Sequence, residues 1–201
     1  MAGRLALLTH STLTETLASY SYSLDNVGNR RVLTESLITV QEMPAGAYLE
    51  NDGLVVMEAE HFTHLVSDTT HTWLTATHQS GYTGSAYLQP LPDLDALYQT
   101  SEITASPRVD FPIHFTTPQT YTVWLRGYPA NAAGDSAYVS LDEQVVSVTG
   151  FGPGDWEWAN ERMSESANGE SGQLVVESSG LYTLSLSMRD ACVACAWTGC
   201  C

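Results

Sequence analysis

The sequence predicts an all-β fold, two antiparallel sheets packed face to face as a jelly-roll β-sandwich, with a short β-hairpin extension at its N-terminal side. Three observations carry that prediction. Tyr182, Leu184, Leu186 and Met188 alternate with Thr183, Ser185, Ser187 and Arg189, a period of two sustained through the run. Strand-sized apolar runs are separated by clusters of Gly, Pro, Asp and Ser. Helical periodicity is missing throughout, and Asp93 to Gln99 offers at most a short helical turn.

The elements follow in order. Residues 1–45 form a repeat-like hairpin fragment and linker. There Tyr20, Tyr22 and Leu24 alternate with small polar residues, Asp25-Asn26-Val27-Gly28-Asn29 supplies turn formers, and a second alternating stretch follows. A lone hairpin is marginally stable, so it needs a larger sheet or a neighbour. The stretch resembles one unit of the tyrosine-aspartate (YD/Rhs) repeats of large bacterial surface and secreted proteins, although a single copy makes no repeat domain.

Residues 46–190 carry the sandwich. Gly53 to Phe62 reads as a first strand. Tyr121 to Tyr128 puts Tyr121, Val123 and Leu125 on one face and Thr122, Trp124 and Arg126 on the other. Asp135 to Leu141 and Gln144 to Val148 flank a turn at Asp142-Glu143, and Gln173 to Glu177 and Leu181 to Arg189 complete the set. Trp124, Tyr138 and Tyr182 are expected to pack, while Trp73 and His78, in a Thr-rich stretch, are expected at a ligand cleft.

Residues 191–201 (ACVACAWTGCC) hold all four cysteines, Cys192, Cys195, Cys200 and Cys201. The spacing fits no zinc ribbon, and adjacent cysteines pair poorly with each other. This tail stands where the closing strand of the sandwich belongs, so the expectation is that the last strand lacks its partner and that the segment is out of register with its ancestor.

Composition limits the partners. The chain has 201 residues, 43% of them hydrophobic, enough for one domain with a core and a modest attachment. Its formal net charge is −16, which repels nucleic acid and anionic membranes and suits a cation or a neutral ligand. No apolar run is long enough to span a bilayer and no signal peptide is legible, so the chain reads as a piece of a longer polypeptide with further domains.

Four segments carry a family resemblance, in order: Val56-Met57-Glu58-Ala59-Glu60-His61-Phe62, Ser80 to Leu88, Tyr121 to Gly127 with Asp135 to Asp142, and Gly180 to Arg189. Together they resemble the calcium-containing β-sandwich carbohydrate-binding modules, nearest to the type at the C-terminus of large glucuronidases. The resemblance implies a galactose-binding-like jelly roll, an extracellular or cell-surface setting, and an oligo- or polysaccharide as partner. It also implies a structural Ca2+ held by Glu58 and Glu60, with backbone carbonyls and a late Asp. Asp190 is the available substitute for that Asp, at a different spacing.

The residues speak to the same point. On a strand, Glu58 and Glu60 leave one face, and two neighbouring carboxylates repel unless protonated, separated or bridged by a hard cation. The plainer alternative has them facing solvent on an edge strand. Gly152-Pro153-Gly154-Asp155 marks a loop, so Trp156 and Trp158 are candidates for display, and an exposed indole is a platform for a sugar ring. The alternative is that one indole plugs the core and the other covers it. Similar modules place an aromatic pair at the loop end of the sandwich, and the matching positions are Trp156 and Tyr82, with Asn160 and Asp155 as polar partners.

No catalytic motif is present: no G-x-S-x-G, no H-E-x-x-H and no P-loop, and His71 and His78 lack ligand spacing. The expectation is therefore a non-catalytic accessory module that stacks a sugar on loop aromatics. A structural or adhesive module of a large surface protein, with no sugar binding, is the second reading. An acidic glycan would need the calcium or a local Arg such as Arg126 or Arg162.

Overall fold

A computed structural model describes residues 7–11, 16–24, 30–37, 43–94, 96–131, 134–162, 170–190 and 193–195. The chain divides into two compact units, Met1–Glu42 and Met43–Cys201. In the first unit, β1 (Leu7–Ser11), β2 (Thr16–Leu24) and β3 (Arg30–Leu37) form one antiparallel sheet in the order β1-β2-β3. The expected hairpin is the β2–β3 pair, with Tyr20 opposite Glu35 and Tyr22 opposite Leu33. A third strand, β1, widens it. Its turn residues Asp25 to Asn29 lie outside the described residues.

The second unit begins with β4 (Tyr48–Leu49), β5 (His64–Val66), β6 (Thr72–Ala76) and β7 (Tyr87–Leu91). Next come β8 (Arg108–Phe115), β9 (Gln119–Thr122), β10 (Leu125–Pro129), β11 (Ala137–Leu141) and β12 (Gln144–Thr149). It closes with β13 (Glu157–Ala159), β14 (Glu161–Arg162), β15 (Gln173–Val176), β16 (Gly180–Met188) and β17 (Val193–Cys195). One sheet runs β13-β10-β17-β7-β6 and the other β14-β12-β11-β16-β8-β4, with β5 also on β8 and β15 paired to β9. Only β4 runs parallel to its neighbour β8 among these described pairs. The architecture is the jelly-roll β-sandwich that the alternating strands predict.

Burial follows the alternation. Leu184, Leu186 and Met188 of β16 face inward with Val109, Phe111, Ile113 and Phe115 of β8, and meet Trp73, Leu88 and Leu125 from the opposite sheet in one core. The inward residues of both sheets exclude water along a single contact surface, which is the main source of stability in such a fold. Tyr121, Val123 and Leu125 are buried as expected.

Four expectations are corrected. Gly53 to Phe62 is not a strand: Val55, Met57 and Ala59 are buried in alternation, but the backbone makes only the Asn51–Leu54 bridge and then tightens into a 3-10 turn at Ala59–His61. Trp73 is a core residue at 2% exposure, its indole N–H given to the Pro107 carbonyl at 3.0 Å, so it lines no cleft. Trp124 is partly exposed, because the register that buries Val123 and Leu125 turns it outward. The short helical turn falls at Thr100–Glu102, beyond the Asp93 to Gln99 segment.

The tail yields the largest correction. Val193–Cys195 is β17, laid between β10 and β7, with Gly127 opposite Cys195, Tyr128 opposite Ala194 and Pro129 opposite Val193. Cys195 also pairs with Leu88 of β7. The sheet therefore has its closing strand. A cysteine-rich composition hid it, because ladder hydrogen bonds use backbone atoms and accept almost any side chain. Cys192, Cys200 and Cys201 lie outside the described residues.

Candidate functional site

The Ser80–Ala86 loop, just before β7, is held on two sides. On one side stand Glu58 and Glu60. They sit on a 3-10 turn and its leading residue, not on a strand, yet both reach the same place: a Cβ on Gly84 would stand 2.4 Å from Glu60 Oε1 and 3.1 Å from Glu58 Oε2. Gly84 has φ +72°, so both its backbone and the crowding of the two carboxylates require glycine.

Glu60 Oε1 accepts from the Ser85 N–H at 2.6 Å, the Ser85 hydroxyl at 3.0 Å and the Ala86 N–H at 3.2 Å. Its second oxygen, Oε2, is buried and has no partner. Burial alone would raise the Glu60 pKa, but these donors and its own backbone N–H hold it below the usual carboxylate range. Glu58 accepts the Thr83 hydroxyl at 3.2 Å, and burial together with the charge of Glu60 holds its pKa above the usual range. The pair thus presents one ionised, half-satisfied carboxylate beside a second carboxyl whose charge it disfavours. That donor set fits a hard, oxygen-seeking cation.

A third acidic ligand does not join them. Among the described residues no group of three His, Cys, Asp or Glu side chains converges. Asp190 is buried and engaged elsewhere, accepting from Ser136 and, at 3.1 Å, from Arg189. It does not serve as the late Asp of a metal shell.

On the other side of the loop stands Trp156. Its indole N–H donates to the Ser80 carbonyl at 2.9 Å, a contact between residues 76 positions apart. Its ring lies against Gly81, where φ is +97° and an added Cβ would stand 2.9 Å from the indole Cδ1. Arg126 donates to the Gly81 carbonyl at 2.9 Å and lies 5.3 Å from the centre of the Trp156 ring, a cation–π distance. The guanidinium Nη1 is buried without a partner.

Around this brace the outer face of the five-stranded sheet is aromatic. Tyr87 is the hub, with ring centroids 5.5 Å from Tyr82 and 5.5 Å from Trp156, and Tyr128 lies 5.7 Å from Trp156. His78 stacks edge-on to Tyr87 at 5.6 Å and hydrogen-bonds its hydroxyl. Burial raises the Tyr87 pKa, so the hydroxyl stays protonated.

The structure therefore brings Trp156 and Tyr82 together, as the resemblance implies. Trp158 joins them by register: it lies directly across from Arg126, on the same face, at 44% exposure. Trp156 is half-buried, so Trp158 is the more displayed of the two indoles. Asp155 is exposed and accepts the N–H of Trp156 at 2.8 Å. Asn160 is tied elsewhere, its side-chain amide donating to the Ser171 hydroxyl at 3.2 Å and its backbone carbonyl accepting the Gly172 N–H at 2.7 Å. Sequence reasoning missed Tyr87 and Tyr128. Their signal was present, since each sits one step out of phase with a core residue, Leu88 and Gly127 respectively.

Residues 47–195 match the glycosyl hydrolase family 115 C-terminal domain. The chain belongs to this family. Its matched region ends inside the cysteine-rich tail, at Cys195, the last residue of β17. Among curated proteins none matches the chain. Among solved structures, the Podospora anserina GH26-CBM35 β-(1,4)-mannanase aligns at 22% identity and a TM-score of 0.50, over 75% of this chain and 28% of that one. This chain thus spans little more than a quarter of the mannanase, and the likeness is one of fold. A family 35 carbohydrate-binding module from Clostridium thermocellum aligns at 14% identity and TM-score 0.48, over 73% of this chain and 96% of the module. The C-terminal CBM6 of LamC from Zobellia galactanivorans aligns at 15% and 0.46, over 73% and 98%.

Proposed function

We propose that this family 115 C-terminal domain is a non-catalytic carbohydrate-binding module that works on an oligo- or polysaccharide, outside the cell or at its surface, as an accessory part of a longer polypeptide. The observation that carries the reading is the aromatic face itself. Trp156 and Tyr82, from distant loops, meet on Tyr87, with Trp158 exposed beside them and Arg126 bracing the loop. Tyr87 is itself buried and supports the others from within, so the faces open to a pyranose are those of the exposed Trp158 and the half-buried Trp156 and Tyr82. The family's description as a C-terminal domain of a glycosyl hydrolase supports the accessory role.

Glu58 and Glu60 are the residues that would hold a calcium ion, Glu60 through its bare Oε2. The ion would supply positive charge between two carboxylates that otherwise repel. The residues around it do the rest: Glu60 grips Ser85 and Ala86, Thr83 contacts Glu58, and the loop so fixed carries Tyr82 to the sugar face. The first unit is read as a repeat-like sheet of a larger secreted or surface protein, on its Tyr20 to Arg30 pattern.

Calorimetric titration of the full chain against neutral and uronic-acid oligosaccharides, with calcium and with chelator, tests the reading. Binding weakened more than tenfold in Trp156→Ala, a loss of more than about 1.4 kcal/mol, supports it. A folded protein that gives no heat with any sugar points to the structural or adhesive module instead.

A further inference from the structure

The edge of β15 carries a site of a different kind. β15 pairs with β9 in a two-stranded sheet, Leu174 opposite Tyr121 and Val176 opposite Gln119. Leu174 and Val176 are buried, whereas Val175 is 45% exposed. On the side away from β9 stands β12. The two segments touch at Gly172, where an added Cβ would stand 2.4 Å from Val146 Cγ1. Further along, at Val175, the whole Gln144 side chain fits between them. They bound a wedge that opens into a surface cavity of about 410 Å³. Asp142, Glu143 and Gln144 form one wall, and Val175, Glu177 and Tyr182 form the other. The Tyr182 hydroxyl donates to the Ser178 carbonyl at 2.9 Å, which fixes the turn between β15 and β16 behind the second wall.

The main chain of Val175 is satisfied there by a side chain. Gln144 Nε2 donates to the Val175 carbonyl at 2.8 Å, and Gln144 Oε1 accepts the Val175 N–H at 2.7 Å. Both bonds lie at the solvent-exposed surface. A side-chain amide has the donor and the acceptor of a peptide group, so Gln144 does for Val175 what the backbone of a neighbouring strand would do. A bare strand edge is a template for another strand. Here the place of that strand is marked, and filled, by a single amide. Holding the amide in place freezes a flexible side chain, and that freedom returns when a true strand takes over both bonds.

We propose that this wedge is a strand-addition site for a short extended peptide bearing Lys or Arg, with Gln144 as its built-in competitor. The main chain of the peptide takes the Val175 N–H and carbonyl, and Gln144 swings out. The charge of the peptide follows from the walls. Asp142, Glu143 and Glu177 line the cavity, its lining contains no Lys or Arg, and the chain carries a formal charge of −16. Basic side chains on the added strand meet Glu177 on one wall and Asp142 and Glu143 on the other. The same negative charge disfavours a second copy of this chain as the occupant. The inference stands on β12, β15 and the turns beside them and does not rest on the sugar reading.

Amide NMR titration of the full chain with the peptide acetyl-Val-Lys-Val-Lys-Val-amide tests it. The expected result is a saturable shift of the Val175 amide, together with a move of the Gln144 side-chain amide signals to the position of a free glutamine. The same peptide methylated at every peptide nitrogen keeps its charge and loses its main-chain donors, and it should bind about tenfold more weakly. Glu177→Lys should weaken binding about tenfold through charge. Gln144→Ala removes the competitor and should tighten binding about threefold. A Val175 amide that stays silent at millimolar peptide overturns the site. Binding that methylation leaves unchanged is charge attraction alone and also overturns it, as does a Gln144 signal that stays in place while the peptide binds. Weaker binding in Gln144→Ala would refute the competitor role. Val175 shifts that grow with protein concentration in the absence of peptide overturn the proposal in favour of pairing between copies.

Discussion

Glu50 and Glu60 each reach from one segment to hold a distant loop, and the two grips differ in completeness. Glu50 is 1% exposed, and both of its oxygens are used: Oε1 by the Gly53 N–H and the Thr117 hydroxyl, Oε2 by the Thr116 N–H, the Thr116 hydroxyl and the Thr117 N–H. Burial works to raise its pKa, and the donors from Thr116, Gly53 and Thr117 overcome this and hold it at about 2. Glu60 saturates Oε1 in the same way and leaves Oε2 buried and bare. A carboxylate with every lone pair occupied is a finished structural bolt. One with an idle, buried oxygen beside a second carboxyl is half of a site.

Glu50→Ala should have the largest effect. It should cost about 3 kcal/mol, because the N–H groups of Gly53, Thr116 and Thr117 lose their shared acceptor at once, and urea unfolding measures the loss directly. Calcium should act on the other grip. In the wild type, an ion at a hundred times its dissociation constant should add about 2.7 kcal/mol. Glu60→Gln should lose that response while folding normally without metal, as scanning calorimetry with calcium and with chelator would show. A calcium response that survives Glu60→Gln would place the ion elsewhere.

Gly84→Ala comes next, at about 2 kcal/mol, from a strained φ and a methyl driven against both carboxylates. It should also blunt the calcium response, whereas Glu50→Ala should leave that response intact. The pH dependence sharpens the contrast further. Glu50 ionises in the fold at about 2 against an ordinary value of 4.5, so its stabilisation is full above pH 4.5 and is lost as pH falls through 2. The drop in unfolding free energy between pH 5 and pH 2 should therefore be shallower in Glu50→Gln. Glu58 has the opposite sign: its raised pKa means that stability without metal declines as pH rises through that value. Glu58→Gln should remove that decline and change stability at pH 7 by about 0.5 kcal/mol or less, the smallest effect of the set.

Much of the fold was legible in short-range pattern. Period-two alternation in β16 and in the Tyr121–Tyr128 segment depends only on neighbouring side chains pointing to opposite faces, and burial follows it except at Ser187, which is covered on the outer face as well. The aromatic site was half legible. A Gly-Pro-Gly-Asp loop announces Trp156, but nothing local says that its indole N–H meets Ser80 or that the buried Tyr87 and the half-buried Tyr128 pack against its ring.

Composition and periods of a few residues are enough to set the sandwich class, the acidic character and the E-A-E and tryptophan segments as places of interest. Tertiary structure alone decided three things. Trp73 went to the core and Trp124 to the surface, since register against partner strands outweighs a residue's own tendency. Glu58 and Glu60 converged on Gly84 although no strand aligns them. Val193–Cys195 became the closing strand between β10 and β7, because a sheet with an open slot pairs through backbone groups, which every residue type but proline supplies in full.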